Sequence, residues 1–337
     1  MKTIPVCLIL VLCFMVLAAA AKNIPIPDWY LNRSLQTREN ELIGYGSDRS
    51  PEKARAIARK EIALQIEVQV RSEGRFTLSE INGVVDETAE LMISEQVNIN
   101  LESVYIIKEK EHKKIYYCAL GYDNSPIVNR FAKLLATADV QRETHNNYLR
   151  QTPFMKDLGK ISGQMADISL QRSKKRWWIS CGDVVMPLPA LEIDQLFTQY
   201  SAPGINLQSS IPSPFPEGTR YQLELRGRDP GYYSLFIVYE NGMTCLLEGN
   251  RLLPEQGICQ FPEGNLEMMA NLLAPGKTTV DQVVAVFSPG PLDFSRFNDL
   301  SAQIVEHESY YRFGDLIDLL GQPELEFSTL LLHTIPN

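Results

Sequence analysis

The sequence predicts an α+β protein: an N-terminal antiparallel sheet with helices on one face, followed by a C-terminal mainly-β, sandwich-like domain. Three observations carry this expectation. Strand and helix patterns alternate between Leu42 and Leu135. From Tyr221 onward, short apolar runs recur between turns rich in Gly, Pro and Asn. The 337 residues are 45% hydrophobic and 22% charged, ordinary values for a chain that folds around a core.

The elements follow in chain order. Lys2 gives a positive start, residues 4–17 are apolar apart from Pro5, and Ala18, Ala19, Ala20 and Ala21 supply small residues. These are the three parts of a secretory signal peptide over residues 1–21, with cleavage expected near Ala20-Ala21. A membrane span needs about 20 apolar residues, and this run is slightly short, so an uncleaved anchor is the lesser reading. No later run is long enough, so no transmembrane span is expected after cleavage. Cys7 and Cys13 lie inside the apolar run, and no cysteine follows the cleavage region to accept a lipid.

Residues 24–30, with Pro25 and Pro27 ahead of Trp29, read as an extended arm whose aromatic ring anchors it. Residues 42–47 read as a short strand ending in a glycine turn. Ser50-Pro51-Glu52-Lys53 starts a helix well, with serine as cap and proline at the first helical position. Ala54, Ala58, Ile62 and Ile66 recur at spacing four, with Ile57 and Ala63 beside them, which predicts one buried face. A second helix is expected over 84–96, then strands over 97–107 and 114–122 joined by the charged turn 109–113, then a helix from Pro126 to Leu135.

Residues 144–170 are polar and read as a connecting segment. Residues 176–181 form a strand pattern, 191–200 a short helix, and the proline-rich stretch 209–218 a domain boundary. Strands are expected over 221–226, 232–239, 243–247 and 280–287, with Glu240-Asn241-Gly242-Met243 as a hairpin turn. A helix over 312–320 and a strand over 326–335 close the chain. The expected domains are 22–143 (α+β), 144–208 (helical connection with a short strand) and 209–337 (β-sandwich).

The formal net charge of −9 argues against nucleic acid as a partner, because phosphate binding wants clustered Lys and Arg. The local cluster Arg172, Lys174, Lys175 and Arg176 reads as the solvated end of a helix. Four cysteines follow the leader: Cys118, Cys181, Cys245 and Cys259. An exported chain permits disulfides, and Cys245 with Cys259, flanking a turn-rich stretch, is the candidate pair; four separate thiols are the alternative. No C-x-x-C occurs.

The search for chemistry returns no catalytic, cofactor or metal residues. Gly276-Lys277-Thr278 resembles the end of a phosphate loop, but Asn271 stands where its first glycine belongs and a strand pattern follows. His112, His145, His307 and His333 are scattered, and His307-Glu308 lacks the second histidine of a zinc-protease helix. Asn32-Arg33-Ser34 is formally a glycosylation sequon. Trp177 and Trp178 point to opposite faces if they lie on a strand, so one of them can face a partner, although packing in the core or at a domain interface is the favoured reading. Trp29, Trp177 and Trp178 are therefore the candidate partner-binding residues.

Two stretches resemble known bacterial families. Residues 25–140, through Pro25-Ile26-Pro27-Asp28-Trp29, Gly44-Tyr45-Gly46 and the Ala-rich helix from Glu52, resemble the LPP20 family of envelope lipoproteins, without that family's lipid-acceptor cysteine. The same stretch is similar in outline to the N-terminal domain of the flagellar assembly protein FlgT. Residues 219–295 resemble the domain family DUF4384, through the run from Gly231 to Gly242, Thr244-Cys245-Leu246-Leu247, Asn250, and Phe287-Ser288-Pro289-Gly290-Pro291. Here Glu248-Gly249-Asn250 departs from the proline that family carries. The resemblances imply an exported, non-catalytic envelope scaffold or interaction protein with a protein partner in the envelope. A secreted hydrolase with a dispersed site and a flagellar or surface-organelle component are the competing expectations.

Overall fold

A computed structural model describes residues 26–72, 104–138, 143–163, 165–227, 231–255, 257–273, 276–299 and 308–337. The leader, the helix expected over 84–96 and His307 lie outside the described residues. By internal contacts the chain divides into two units, one drawn from Met1–Ile62 with Val104–Tyr122, the other from Ala63–Ser103 with Asp123–Asn337. The divisions anticipated at 143 and 209 are not contact boundaries, since both positions lie inside the second unit.

In the first unit, a single helical turn α1 (Asp28–Leu31) precedes strand β1 (Glu41–Asp48) and helix α2 (Pro51–Ser72), which belongs to this unit as far as Ile62. The hairpin β2 (Tyr105–His112) and β3 (Ile115–Asp123) completes a sheet of order β1-β3-β2. Gly44 and Gly46 explain their own presence: a Cβ on either would drive into the α2 backbone at the Ala58 and Ala54 carbonyls. The helix can therefore lie directly on the strand, and Ala54, Ala58 and Ile62 are fully buried there. Ile57, expected on this face, is 45% exposed, because it sits off the stripe that touches the sheet.

On the opposite parity, Ile43 and Tyr45 pack with Tyr117, Ala119 and Trp29. The expected extended arm is thus a helical turn, and Trp29 serves as core, its ring edge-on to Tyr30 with centroids 6.0 Å apart. The hairpin turn falls at Lys113 and Lys114, both at positive φ, two residues later than the centre of the expected turn. The charges Glu109 and Glu111 therefore belong to β2, an edge strand, where alternating charge discourages further pairing. Arg55 of α2 pairs with Glu109 at 2.6 Å, and that contact holds the Glu109 carboxyl below its usual range.

The second unit begins with helices α3 (Ile127–Ala136), α4 (Asn147–Gln151) and α5 (Pro153–Ser162). A three-stranded sheet follows, β4 (Ser169–Ser173), β5 (Arg176–Cys181) and β6 (Val184–Leu188), then a 3-10 turn over Ala190–Leu196. Short strands β7 (Tyr200–Ser201), β8 (Asn206–Ser209), β9 (Phe215–Pro216), β10 (Arg220–Tyr221) and β11 (Leu223–Arg226) come next. The long strands are β12 (Tyr232–Val238), β13 (Thr244–Leu252), β16 (Thr279–Ser288) and β18 (Glu326–Ile335); between them lie β14 (Ile258–Phe261), β15 (Met268–Met269), β17 (Asn298–Asp299) and helix α6 (Phe313–Leu320).

A seven-stranded sheet, ordered β17-β13-β12-β16-β18-β7 with β9 beside β18, divides the core of this unit. One face carries Phe236, Val238, Val284, Val286 and Phe327 against α3 to α6 and the inner side of β4 to β6. The other carries Tyr233, Leu235, Val283, Ala285 and Leu332 against the small sheet β14-β11-β8. The sandwich expectation describes that second face; the first is an α/β layer. The fold is mixed α+β with a β-rich C-terminal part.

Residues 144–170 are corrected from connection to core. Tyr148, Leu149, Phe154, Met155 and Leu158 are all buried. The Tyr148 hydroxyl donates to the Leu196 carbonyl at 2.8 Å, and the Gln282 amide donates to the same hydroxyl at 2.9 Å from inside the central sheet. A polar composition concealed this because the buried face occupies only one side of short helices. Thr152 caps α5, its hydroxyl accepting from the Met155 N–H, ahead of Pro153 at the first helical position.

The expected disulfide is also absent: all four described cysteines are free. Cys245 lies on β13 among Ile237, Met243 and Tyr310, whereas Cys259 lies on β14 and contacts the Leu225 carbonyl in the other sheet. Nearness in sequence did not become nearness in space because the two strands enter different sheets. Burial pushes the Cys245 thiol up to about 11.

Candidate functional site

Strand alternation sorts the two central tryptophans. Lys174 and Lys175, both at positive φ, form the two-residue turn that a right-twisted hairpin favours. The basic cluster is therefore a hairpin tip instead of a helix end, and its members separate: Arg172 faces inward and Arg176 outward. On the inner face, Trp177 is 1% exposed, and its Nε1–H donates to the Asn241 carbonyl at 3.0 Å. Gly242, at φ 84°, lies so close to the indole that a Cβ would meet Cζ2 at 2.5 Å. The tip of the β12–β13 hairpin and Trp177 thus fit each other, and Gly242 is required by both turn and contact. Arg172 stacks over Tyr311 at 3.5 Å and bonds Glu308 at 3.1 Å.

The outer face is arranged in rows fixed by register. Ser169 pairs with Ser180, which pairs with Val185; Gln171 pairs with Trp178, which pairs with Pro187; Ser173 pairs with Arg176. Trp178 is half-buried at the centre, with Gln171 on one side and Pro187 on the other. The Ser169 and Ser180 hydroxyls lie 2.8 Å apart. Gln171, Ser173, Lys174, Arg176, Trp178, Ser180 and Val185 line an open trough of 760 Å³. Val185 is 55% exposed. Two cations and no carboxylate line the trough. It presents a flat ring with polar and cationic side chains around it.

Of the three candidate tryptophans, Trp29 and Trp177 are core, in different units, and Trp178 alone among them lines a trough. Sequence reasoning missed Gln171, Ser173, Ser180 and Val185. The usable signal was the polar-out alternation of Ser169, Gln171 and Ser173, which the reading of 144–170 as a connection obscured.

A second cluster is buried. The Lys277 ammonium lies 2.9 Å from Glu240 Oε1, with both side chains almost wholly enclosed. The Glu240 N–H donates to Asp281 Oδ1 at 3.2 Å. Burial pushes the Asp281 carboxyl up to about 8, and the negative charge of Glu240 adds to the shift. Lys277, singled out as a phosphate-loop mimic, instead ties the turn before β16 to the turn after β12. Its strand begins two residues later, at Thr279.

His112 lies at the end of β2 in the first unit, while His145 precedes α4 and His333 lies in β18 in the second. Among the described residues, no group of three His, Cys, Asp or Glu side chains is placed to hold a metal ion. Among the same residues, no helix is long and apolar enough to cross a membrane.

No protein-family profile matches the chain, and no curated protein does. Among solved structures it is similar to the secreted protein HP1454 from Helicobacter pylori, at 18% identity and a TM-score of 0.20. The overlap covers 37% of this chain and spans about half, 49%, of that one, and is too loose to establish a shared fold.

Proposed function

We propose that this chain is an exported bacterial envelope protein that binds a partner through the outer face of β4 to β6 and carries out no reaction on it. The observation that carries the reading is Trp178. A large aromatic side chain is left partly exposed at the centre of a sheet face, in a trough with polar side chains around it, while its sequence neighbour Trp177 is fully packed. Aromatic side chains at such positions supply most of the energy of recognition surfaces. The leader pattern of residues 1–21 supports export, and the LPP20-like and DUF4384-like stretches support an envelope setting.

The test uses the full chain in its native host, with a photo-crosslinking side chain at position 185, on the rim of the trough. The expected result is a processed protein outside the cytosol that yields one defined adduct, lost in Trp178→Ala. The reading is overturned if the adducts are the same with and without Trp178, or if the chain remains unprocessed in the cytosol.

A further inference from the structure

We propose that Arg33 and Glu61 form a latch over the outer edge of β1, and that this latch keeps the strand from pairing with the β1 of a second copy of the chain. The latch lies in the first unit and is independent of the Trp178 reading. Among the described residues β1 is an end strand of its sheet, because β3 and β2 both lie on its other side. An end strand offers backbone N–H and C=O groups to any extended chain that approaches. At the middle of β1 the Tyr45 N–H is already taken: it donates to Glu61 Oε2 at 2.8 Å. The carboxylate oxygen sits where the carbonyl of an added strand would accept.

The helix places Glu61 at that edge. Ala54, Ala58 and Ile62 form the stripe buried against the sheet, and each residue advances about 100° around the helix. Arg55 and Glu61 therefore fall on opposite flanks of the stripe. Arg55 reaches Glu109 in β2, the strand at the far edge, so Glu61 reaches the outer side of β1. Arg33 holds the carboxylate from the opposite face of the sheet. Its guanidinium lies 5.1 Å from the centre of the Tyr45 ring and pairs with Glu61 Oε1. The Tyr45 ring points away from α2, into the cluster of Trp29, Ile43 and Tyr117. The pair thus runs around the strand edge and joins the helix on one face to the segment after α1 on the other. Arg33 stands at φ 46°, a backbone region that residues other than glycine rarely adopt, so its contacts hold it there. An exposed ion pair adds little stability, and the Arg33 side chain is 61% exposed. The geometry accounts for the pair as a cover over one backbone donor better than as a contribution to the fold.

The excluded partner is a second copy because the edge is complementary to itself. Antiparallel pairing about a twofold axis at Tyr45 lets each Tyr45 N–H donate to the same carbonyl of the other copy. Ile57, one turn before Glu61 on the same flank and 45% exposed, gives the added strand an apolar surface to cover.

The full mature chain is compared with Glu61→Ala, Arg33→Ala and Arg55→Ala by sedimentation across a concentration series and by hydrogen exchange at the Tyr45 amide. Glu61→Ala is expected to self-associate with a dissociation constant at least about tenfold below that of the parent chain. Its Tyr45 amide should exchange faster than in the parent when dilute and slow again as concentration rises, because the second copy replaces the carboxylate. Arg33→Ala, which leaves the carboxylate without its anchor, should shift association about threefold in the same direction. Arg55 bonds the Glu109 side chain, so Arg55→Ala uncovers no backbone donor of β1 and should match the parent. Three results overturn the proposal: Glu61→Ala associating no more than the parent chain, association that leaves its Tyr45 amide fast at every concentration, or Arg55→Ala associating as strongly as Glu61→Ala. If circular dichroism shows Glu61→Ala unfolded, Arg33→Ala decides on the same two readouts.

Discussion

The two faces of the β4–β5–β6 sheet are built from the same strands and differ by one residue of register, yet they obey different rules. The inner face places Trp177, Ile179, Met186 and Leu188 in the core of the second unit, where every polar atom needs a partner. Trp177 meets that demand through Asn241, and Arg172 through Glu308 and the face of Tyr311. The outer face places Gln171, Trp178, Ser180 and Val185 against solvent, where packing imposes nothing comparable. The contrast teaches that adjacent identical residues meet separate environments when a strand separates them: Trp177 is held by the core, and Trp178 is left partly exposed on the outer face.

The comparison breaks most visibly at Trp177. Trp177→Ala removes a fully buried indole, and the second unit is expected to lose about 3 to 5 kcal/mol, read as a lowered denaturant midpoint. A loss under about 1 kcal/mol would show that the inner face is not the core that its burial indicates. Lys277→Met is expected to cost about 3 kcal/mol, because it removes the cation beside enclosed Glu240. Replacing Lys277 and Glu240 together by apolar residues should recover much of that cost, as measured in a double-mutant cycle.

A separate effect concerns pH. The Asp281 carboxyl titrates near 8 in the folded chain and near 3.8 when unfolded, so the folded state binds the additional proton. Its contribution is fully present below the unfolded value and is lost as pH rises through about 8. Stability should therefore decline between these limits, and Asp281→Asn should flatten that part of the curve. An unchanged slope in the variant would place the titration elsewhere. The smallest stability effect is expected at Trp178: Trp178→Ala should stay within about 1 kcal/mol of the parent chain while it abolishes the crosslink at position 185. A loss as large as that of Trp177→Ala would erase the distinction between the faces.

Much of this fold was legible because local chemistry and final environment agree. Ala54, Ala58, Ile62 and Ile66 announce a buried helix face by spacing alone, and all four are buried. Glu240-Asn241-Gly242-Met243 announces a hairpin, and the Gly242 N–H closes the turn on the Tyr239 carbonyl at 2.7 Å. The strand expected over 326–335 is Glu326–Ile335. Residues 144–170 were illegible for a physical reason. Short helices bury only a few side chains each, so the apolar signal of Tyr148, Phe154 and Leu158 is diluted below what a periodicity reading detects. The candidate site was half-legible: the alternation of Trp177 and Trp178 was plain, but the partners of Trp178 come from strands that only pairing assembles.

By itself the sequence determined the periodicities: which residues share a helix face, which alternate along a strand, and where turn chemistry stops an element. These follow from backbone geometry over a few residues and need no distant partner. Only the tertiary structure decided which strand face met the core, that Cys245 and Cys259 entered different sheets, and that Lys277 and Asp281 gathered around Glu240. Those outcomes depend on contacts between residues far apart in the chain, and their energies exist only once the sheets have packed.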